Sequence, residues 1–439
     1  QDTFFIKGYV SSEFEFSKSF PIRKNDTINQ GTSGVEGAFY TIWTDLDTIK
    51  IPNVNYPYEQ LIKIPVVSPT DTTLCILRFQ GSTSNFSESY VLRQKGRVII
   101  DIPEVYELAN IILYLSDCSE KTNNHPSKTD YTENIEKHFL PYKNHKLIQA
   151  LNKQCLNYKF WDIYYGFREN SVTFEFENNN LSYSSPYKQV NWDDSQIMGG
   201  HFRNMLYLIQ DFVNVSEFRK FYKSNLSYYN DLEFRQSKLL PIGQMWKWLE
   251  NEFPQKMDTY KIYFSPLIEG SHSTQKFQKG FFKNPEFQEC IMFINSSEWL
   301  DSNPEYSEEL KEGLMSGIVF TEIDHNYVNP SSDEFIEKIK LLIKQNNYWA
   351  TKEVQQNYSS EYAIFNEYMT HSVFCLYISE NYPDELANII IDDRIKLMER
   401  RGFPRFKEFN KRLIEHQINT RSNLYDSYGA IIDTMMTIN

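Results

Sequence analysis

Residues Phe320-Thr321-Glu322-Ile323-Asp324-His325-Asn326-Tyr327-Val328-Asn329-Pro330 decide how the rest of the chain is read. Their order is that of the zinc-peptidase helix motif, His-Glu-x-x-His, with Thr321 where the first histidine belongs. The motif works by geometry. Two histidines four apart lie on one helix face and hold one zinc ion, and the glutamate between them acts as general base on the metal-bound water. Glu322 therefore stands at the catalytic position and His325 at a metal position, while the four-apart partner of His325 is a hydroxyl. Leu314, Ile318, Thr321 and His325 recur at three- and four-residue spacing, which predicts a helix within residues 305–328. Asn329-Pro330 is expected to end it.

A second helix carries Asn366-Glu367-Tyr368-Met369-Thr370-His371, with Glu367 42 residues after His325 (367 minus 325). In zinc peptidases whose third ligand is a glutamate, the downstream helix often carries Asn-Glu with that glutamate on the metal, so Glu367 is the third candidate ligand. His371 lies four residues on and shares its face. It is a candidate to orient Glu367 or to replace the ligand missing at Thr321. A surface helix pair has the same spacing. Upstream, Tyr260–Phe264 and Cys290–Ile294 read as strands. In zinc peptidases an edge strand beside the metal binds extended substrate backbone by strand addition. His272, beyond the first of these strands, is a candidate to reach that cleft; a polar loop residue is the plainer reading.

The chain has 439 residues, enough for two or three domains. Short alternating runs before residue 100, among them Phe4–Val10, Phe39–Trp43 and Leu74–Phe79, are separated by turn-rich segments and closed by Arg97–Ile100. They predict a small β-sandwich over residues 1–102. From residue 103 to 439 helical periods dominate, with stretches near 134–155, 157–167, 199–213 and 215–229 and a short strand at Val172–Phe176. The polar run 119–133 reads as a loop. The expected fold is α+β: an N-terminal β-sandwich, then a mostly helical domain with a small sheet.

Net charge is −13, with no basic stripe, so nucleic acid is not an expected partner. No apolar run reaches the ~18 residues of a membrane span. Gln1 rather than Met at the start points to a removed leader and an extracytoplasmic location: secreted, periplasmic or surface-anchored. Cys75, Cys118, Cys155, Cys290 and Cys375 are scattered without paired spacing and read as buried free thiols.

Several segments together resemble a known family. They are Glu136–His145, Gln210–Val213 with Phe218–Tyr222 and Tyr228-Tyr229, the motif with its Asn329-Pro330 tail, the Asn366-Glu367-Tyr368 helix, and Arg401-Gly402-Phe403. Residues from about 103 onward resemble an uncharacterised, zincin-like family of secreted bacterial proteins, common in gut Bacteroidetes and catalogued as a domain of unknown function. The resemblance implies a metallopeptidase-like fold, Glu322 as base, and His325 and Glu367 as zinc ligands. It does not carry over the first ligand, because a threonine hydroxyl is a poor zinc donor beside imidazole.

Two functions follow as expectations. One is a secreted metallopeptidase-like hydrolase acting on a peptide or protein, with a divergent or silent zinc site helped by His371, His272 or Glu322. The other is a non-catalytic peptide- or glycan-binding protein on a zincin scaffold. A sugar hydrolase with paired carboxylates finds no supporting spacing.

Overall fold

A four-stranded sheet carries the helices that meet at the motif. Its strands β1 (Arg97–Asp101), β2 (Thr259–Ser265), β3 (Ser273–Phe281) and β4 (Asn284–Asn295) lie in the order β3-β4-β2-β1. β1, β2 and β4 run parallel, and β3 runs antiparallel to β4 at one edge. The computed structural model describes residues 84–122, 126, 128–157, 160–187, 201–281, 284–344, 346–358 and 360–437, together with the backbone of six strands between residues 3 and 79. The chain is mixed α+β and mostly helical.

β2 is buried along its whole length, as expected for an inner parallel strand covered on both faces. The strand Arg97–Ile100, expected to close the N-terminal unit, instead pairs with β2. Ile100 packs against the helical core, and Ile102 just beyond it is fully buried there. β3 was not legible as a strand, because Ser273-Thr274-Gln275-Lys276 lacks apolar alternation. Its inward polar positions are satisfied by other side chains: Gln275 donates to Glu169 at 2.5 Å. Among residues 3–79, four strands form an antiparallel sheet in the order Phe14–Pro21, Thr3–Ser11, Phe39–Trp43, Thr48–Pro52. Gln60–Val67 and Thr72–Phe79 form a hairpin. The expected sandwich depends on side chains that lie outside the described residues.

Four helices build the site: α1 (Phe160–Asn170), α2 (Glu308–Asp333), α3 (Glu361–Asn381) and α4 (Asp384–Arg400). Ser307 caps α2 by accepting from Leu310 N at 3.2 Å. Pro330 does not end α2, which runs on to Asp333. A proline inside a helix removes one N–H donor. Neighbouring carbonyls take side-chain bonds: Ser331 donates to Tyr327 O at 2.9 Å and Tyr362 to Asn329 O at 3.1 Å. α3 is buried from Ile364 to Ile378 and packs against α2 and α4, so it is the axis of the helical layer.

The end of α4 fixes the next residue. Gly402 N donates to Glu399 O and Phe403 N to Met398 O, both at 3.0 Å. This is the Schellman pattern, which needs a left-handed residue after the cap. Gly402 has φ of +96°, and a Cβ there would meet Thr351 Oγ1 at 2.6 Å. Arg401, the cap, is thereby held on the last turn.

Other differences are local. The expected 134–155 stretch is two helices, Asp130–Phe139 and Lys146–Asn157, separated by a 3₁₀ turn over Leu140–Tyr142. The expected loop 119–133 begins inside a short helix, Asp117–Lys121. Cys290 and Cys375 are buried free thiols, as expected. Cys118 and Cys155, however, form a disulfide with Cα atoms 5.6 Å apart. Spacing could not reveal it, because the two meet only when their helices pack. The bridge closes 37 residues, a loop worth about 3–4 kcal/mol in the chain-entropy account. Urea denaturation with and without a phosphine reductant should show a loss of about 3 kcal/mol on reduction, and Cys118→Ser should reproduce it without reductant.

Candidate functional site

α2 and α3 bring the two predicted ligands together. His325 Nε2 lies 3.9 Å from Glu367 Oε1, although 42 residues separate them. His325 Nδ1 is 3.2 Å from Asn329 Oδ1, one turn on, so the ring is aimed by its own helix. Glu367 and His371 are both buried, which removes the surface-pair reading. Thr321 is also buried, but its hydroxyl donates back to Gly317 O and Ile318 O, at 3.0 and 3.2 Å. It is spent on its own helix.

The partner of Glu367 is a guanidinium. Arg401 Nη2 donates to Glu367 Oε2 at 2.8 Å and to Tyr358 Oη at 2.9 Å. Burial alone would raise the carboxyl's pKa, but Arg401, His371 and His325 outweigh it and hold Glu367 well below the usual carboxylate range. It is ionised throughout the physiological range.

His371 sits between two arginines. Arg394 Nη1 lies 3.0 Å from its Nδ1 and Arg401 Nη1 lies 2.8 Å from its Nε2. A neutral imidazole accepts at one nitrogen only, so at most one of these is a donated bond. Burial, together with the two guanidiniums, lowers His371 to about 3 despite the nearby Glu367. Both ring nitrogens are covered by cations, which closes them to a metal. Arg394 reaches this point by crossing Gly317, where a Cβ would overlap its guanidinium.

Three acids near this centre behave differently from Glu367. Glu322 has no hydrogen-bond partner among the described residues, and burial pushes it up to about 7, with Glu367 adding repulsion and His325 and Arg401 opposing. Asp324 is fully buried with neither carboxyl oxygen hydrogen-bonded, and burial plus repulsion from Glu322 and Glu367 raise it well above the usual value. Both effects favour the protonated, neutral form. Glu169 on α1 is raised to about 7, again by burial.

His272 does belong to this region. It precedes β3, in a segment clamped by α1: Arg168 Nη1 donates to Ser271 O at 2.8 Å and Nη2 to Ser273 Oγ at 3.1 Å, while Ser273 Oγ donates to Glu169. His272 Nε2 is buried without a partner. Burial and the charges of Arg168, Arg394 and Arg401 lower the ring to about 3.

The donor set does not fit a zinc ion. Zinc sites need three or four protein donors converging at about 2.0–2.3 Å. Here His325 and one oxygen of Glu367 face each other, Thr321 is turned away, His371 is covered, and a guanidinium stands beside the carboxylate. Among the described residues, no group of three or more His, Cys, Asp or Glu is arranged to hold a metal. Arg401, Arg394 and Arg168 were not identified as site residues from sequence. Arg401 had a signal in Arg401-Gly402-Phe403, whose glycine marks a helix end; the other two had none. No family model, curated protein or solved structure matches the chain.

The pH behaviour of Asp324 is testable. Its folded pKa lies above the unfolded value, so the folded state holds a proton that the unfolded state has lost. Stability therefore falls as pH rises from about 4 toward the folded pKa. Asp324→Asn mimics the neutral acid and removes that dependence. Thermal melts should give the variant a higher Tm than wild type at pH 8, with the gap closing near pH 4.

Proposed function

We propose that this chain is a zincin-like, metallopeptidase-related protein that binds a peptide or glycan without cleaving it. In this reading an N-terminal β-sandwich precedes a mainly helical zincin-like domain that includes the strand Arg97–Asp101. Arg401 takes the position of the metal as the cation held by Glu367. The observation that carries the reading is the 2.8 Å pair between Arg401 and Glu367 at the place where the motif calls for zinc. Glu322 then has no metal-bound water to activate, and its catalytic role lapses. The disulfide between Cys118 and Cys155 supports an extracytoplasmic location, since such bridges persist in oxidising compartments. Among the described residues no helix is long and apolar enough to cross a membrane.

The second reading, a metallopeptidase with a rearranged site, is favoured by two observations. His325 and Glu367 approach within 3.9 Å, and Glu322 sits near neutrality, where a general base works best. Zinc titration separates the two. Wild type is expected to take up no stoichiometric zinc at micromolar concentration. Thr321→His combined with Arg401→Ala should gain zinc affinity by at least about a hundredfold, because two imidazoles and a freed carboxylate then face one ion. One tightly held zinc in wild type, with peptide hydrolysis lost in Glu322→Gln, establishes the metallopeptidase instead.

A further inference from the structure

The surroundings of His325 and Glu367 gather three guanidiniums and two further imidazoles. Arg394 is 7% exposed, yet its guanidinium has one hydrogen-bond acceptor, His371 Nδ1, and no carboxylate at ion-pair distance among the described residues. Its other face lies over the Phe374 ring at 4.7 Å. Arg168 is fully buried and leaves Nε without a partner. Among the described residues His272 Nε2 is buried and unpartnered, and the carboxylate facing His325 Nε2 stands 3.9 Å away. An uncompensated buried charge is costly, and proteins rarely keep one without a counterion.

The acids nearby supply Arg394 little compensation. Glu367 is spent on Arg401, at 2.8 Å. Glu169 lies 3.5 Å from Arg168 and serves that guanidinium. Arg394 is the arginine of this cluster left without a carboxylate at ion-pair distance among the described residues. Two groups of this cluster open toward solvent: the Arg401 side chain is 33% exposed and that of His325 25%. They flank Glu367, so an incoming anion meets its repulsion together with the attraction of Arg401 and, behind it, Arg394.

We propose that the partly exposed face of this cluster is a carboxylate-binding site, with Arg401 and His325 meeting the ligand's carboxylate and the unpaired charge of Arg394 drawing it in. The proposal rests on the reading of the protein as a binding protein and names the ligand's chemistry: a peptide presented by a free carboxylate. A single carboxylate suits one exposed guanidinium flanked by an imidazole and opposed by Glu367. A phosphate brings a second negative charge against Glu367.

The test uses the full chain and three probes: N-acetyl-Ala-Ala-Phe as the free acid, the same peptide as the C-terminal amide, and inorganic phosphate. Binding is followed by the histidine Cε1–H resonances in NMR titrations. The acid is expected to bind at least about tenfold more tightly than the amide and to shift the His325 resonance. Arg401→Met should abolish that difference. His325→Gln, whose side chain is 25% exposed, should reduce it and guards against a misfolded Arg401 variant. Equal affinity for acid and amide overturns the proposal. So does the absence of saturation by the acid up to about 10 mM, or saturation by phosphate alone. Zinc uptake by wild type defeats the binding-protein reading itself, whereas failure of the acid to bind in protein that takes up no zinc defeats only the carboxylate assignment.

Discussion

The ion pair between Arg401 and Glu367 is the interaction on which the site depends. It joins the middle of α3 to the end of α4 at 2.8 Å, across 34 residues of sequence. Both groups are largely withdrawn from water. Burial without a cation pushes a carboxyl toward its protonated form, as it does at Asp324. With Arg401 in place, Glu367 stays ionised and His371 is held neutral beside two guanidiniums. The chemistry of the cleft follows from which cation Glu367 holds.

That pair is in turn a product of backbone geometry. α4 must stop at one residue for Arg401 to face Glu367, and the left-handed Gly402 makes it stop there. Arg394, two turns earlier on α4, points the same way and needs the missing side chain of Gly317 to pass. Two glycines, one on the motif helix and one after α4, therefore admit the two arginines.

Much of this was legible in the sequence. Helix periodicity placed Glu322 and His325 on one helix and Glu367 and His371 on another, and the two meet as the motif order predicts. Local rules carry such information because spacing along a helix is fixed at 3.6 residues per turn. What the spacing could not show is what fills the gap. Arg401 and Arg394 arrive from a third helix, and Arg168 from a fourth. The disulfide and the polar edge strand β3 escaped for the same reason, since both are decided by distant partners. Pro330 misled because α2 continues through it to Asp333, losing one backbone donor without ending.

A double-mutant cycle tests the central claim most directly. The stabilities of wild type, Arg401→Met, Glu367→Gln and the double variant would be measured by urea denaturation at pH 7. If Arg401 is the cation that Glu367 holds, either single change strands a buried charge, and the two together should cost less than their sum. A coupling of about 2–3 kcal/mol is expected. Additivity within about 0.5 kcal/mol would contradict the account, because Glu367 would then rely on some other cation.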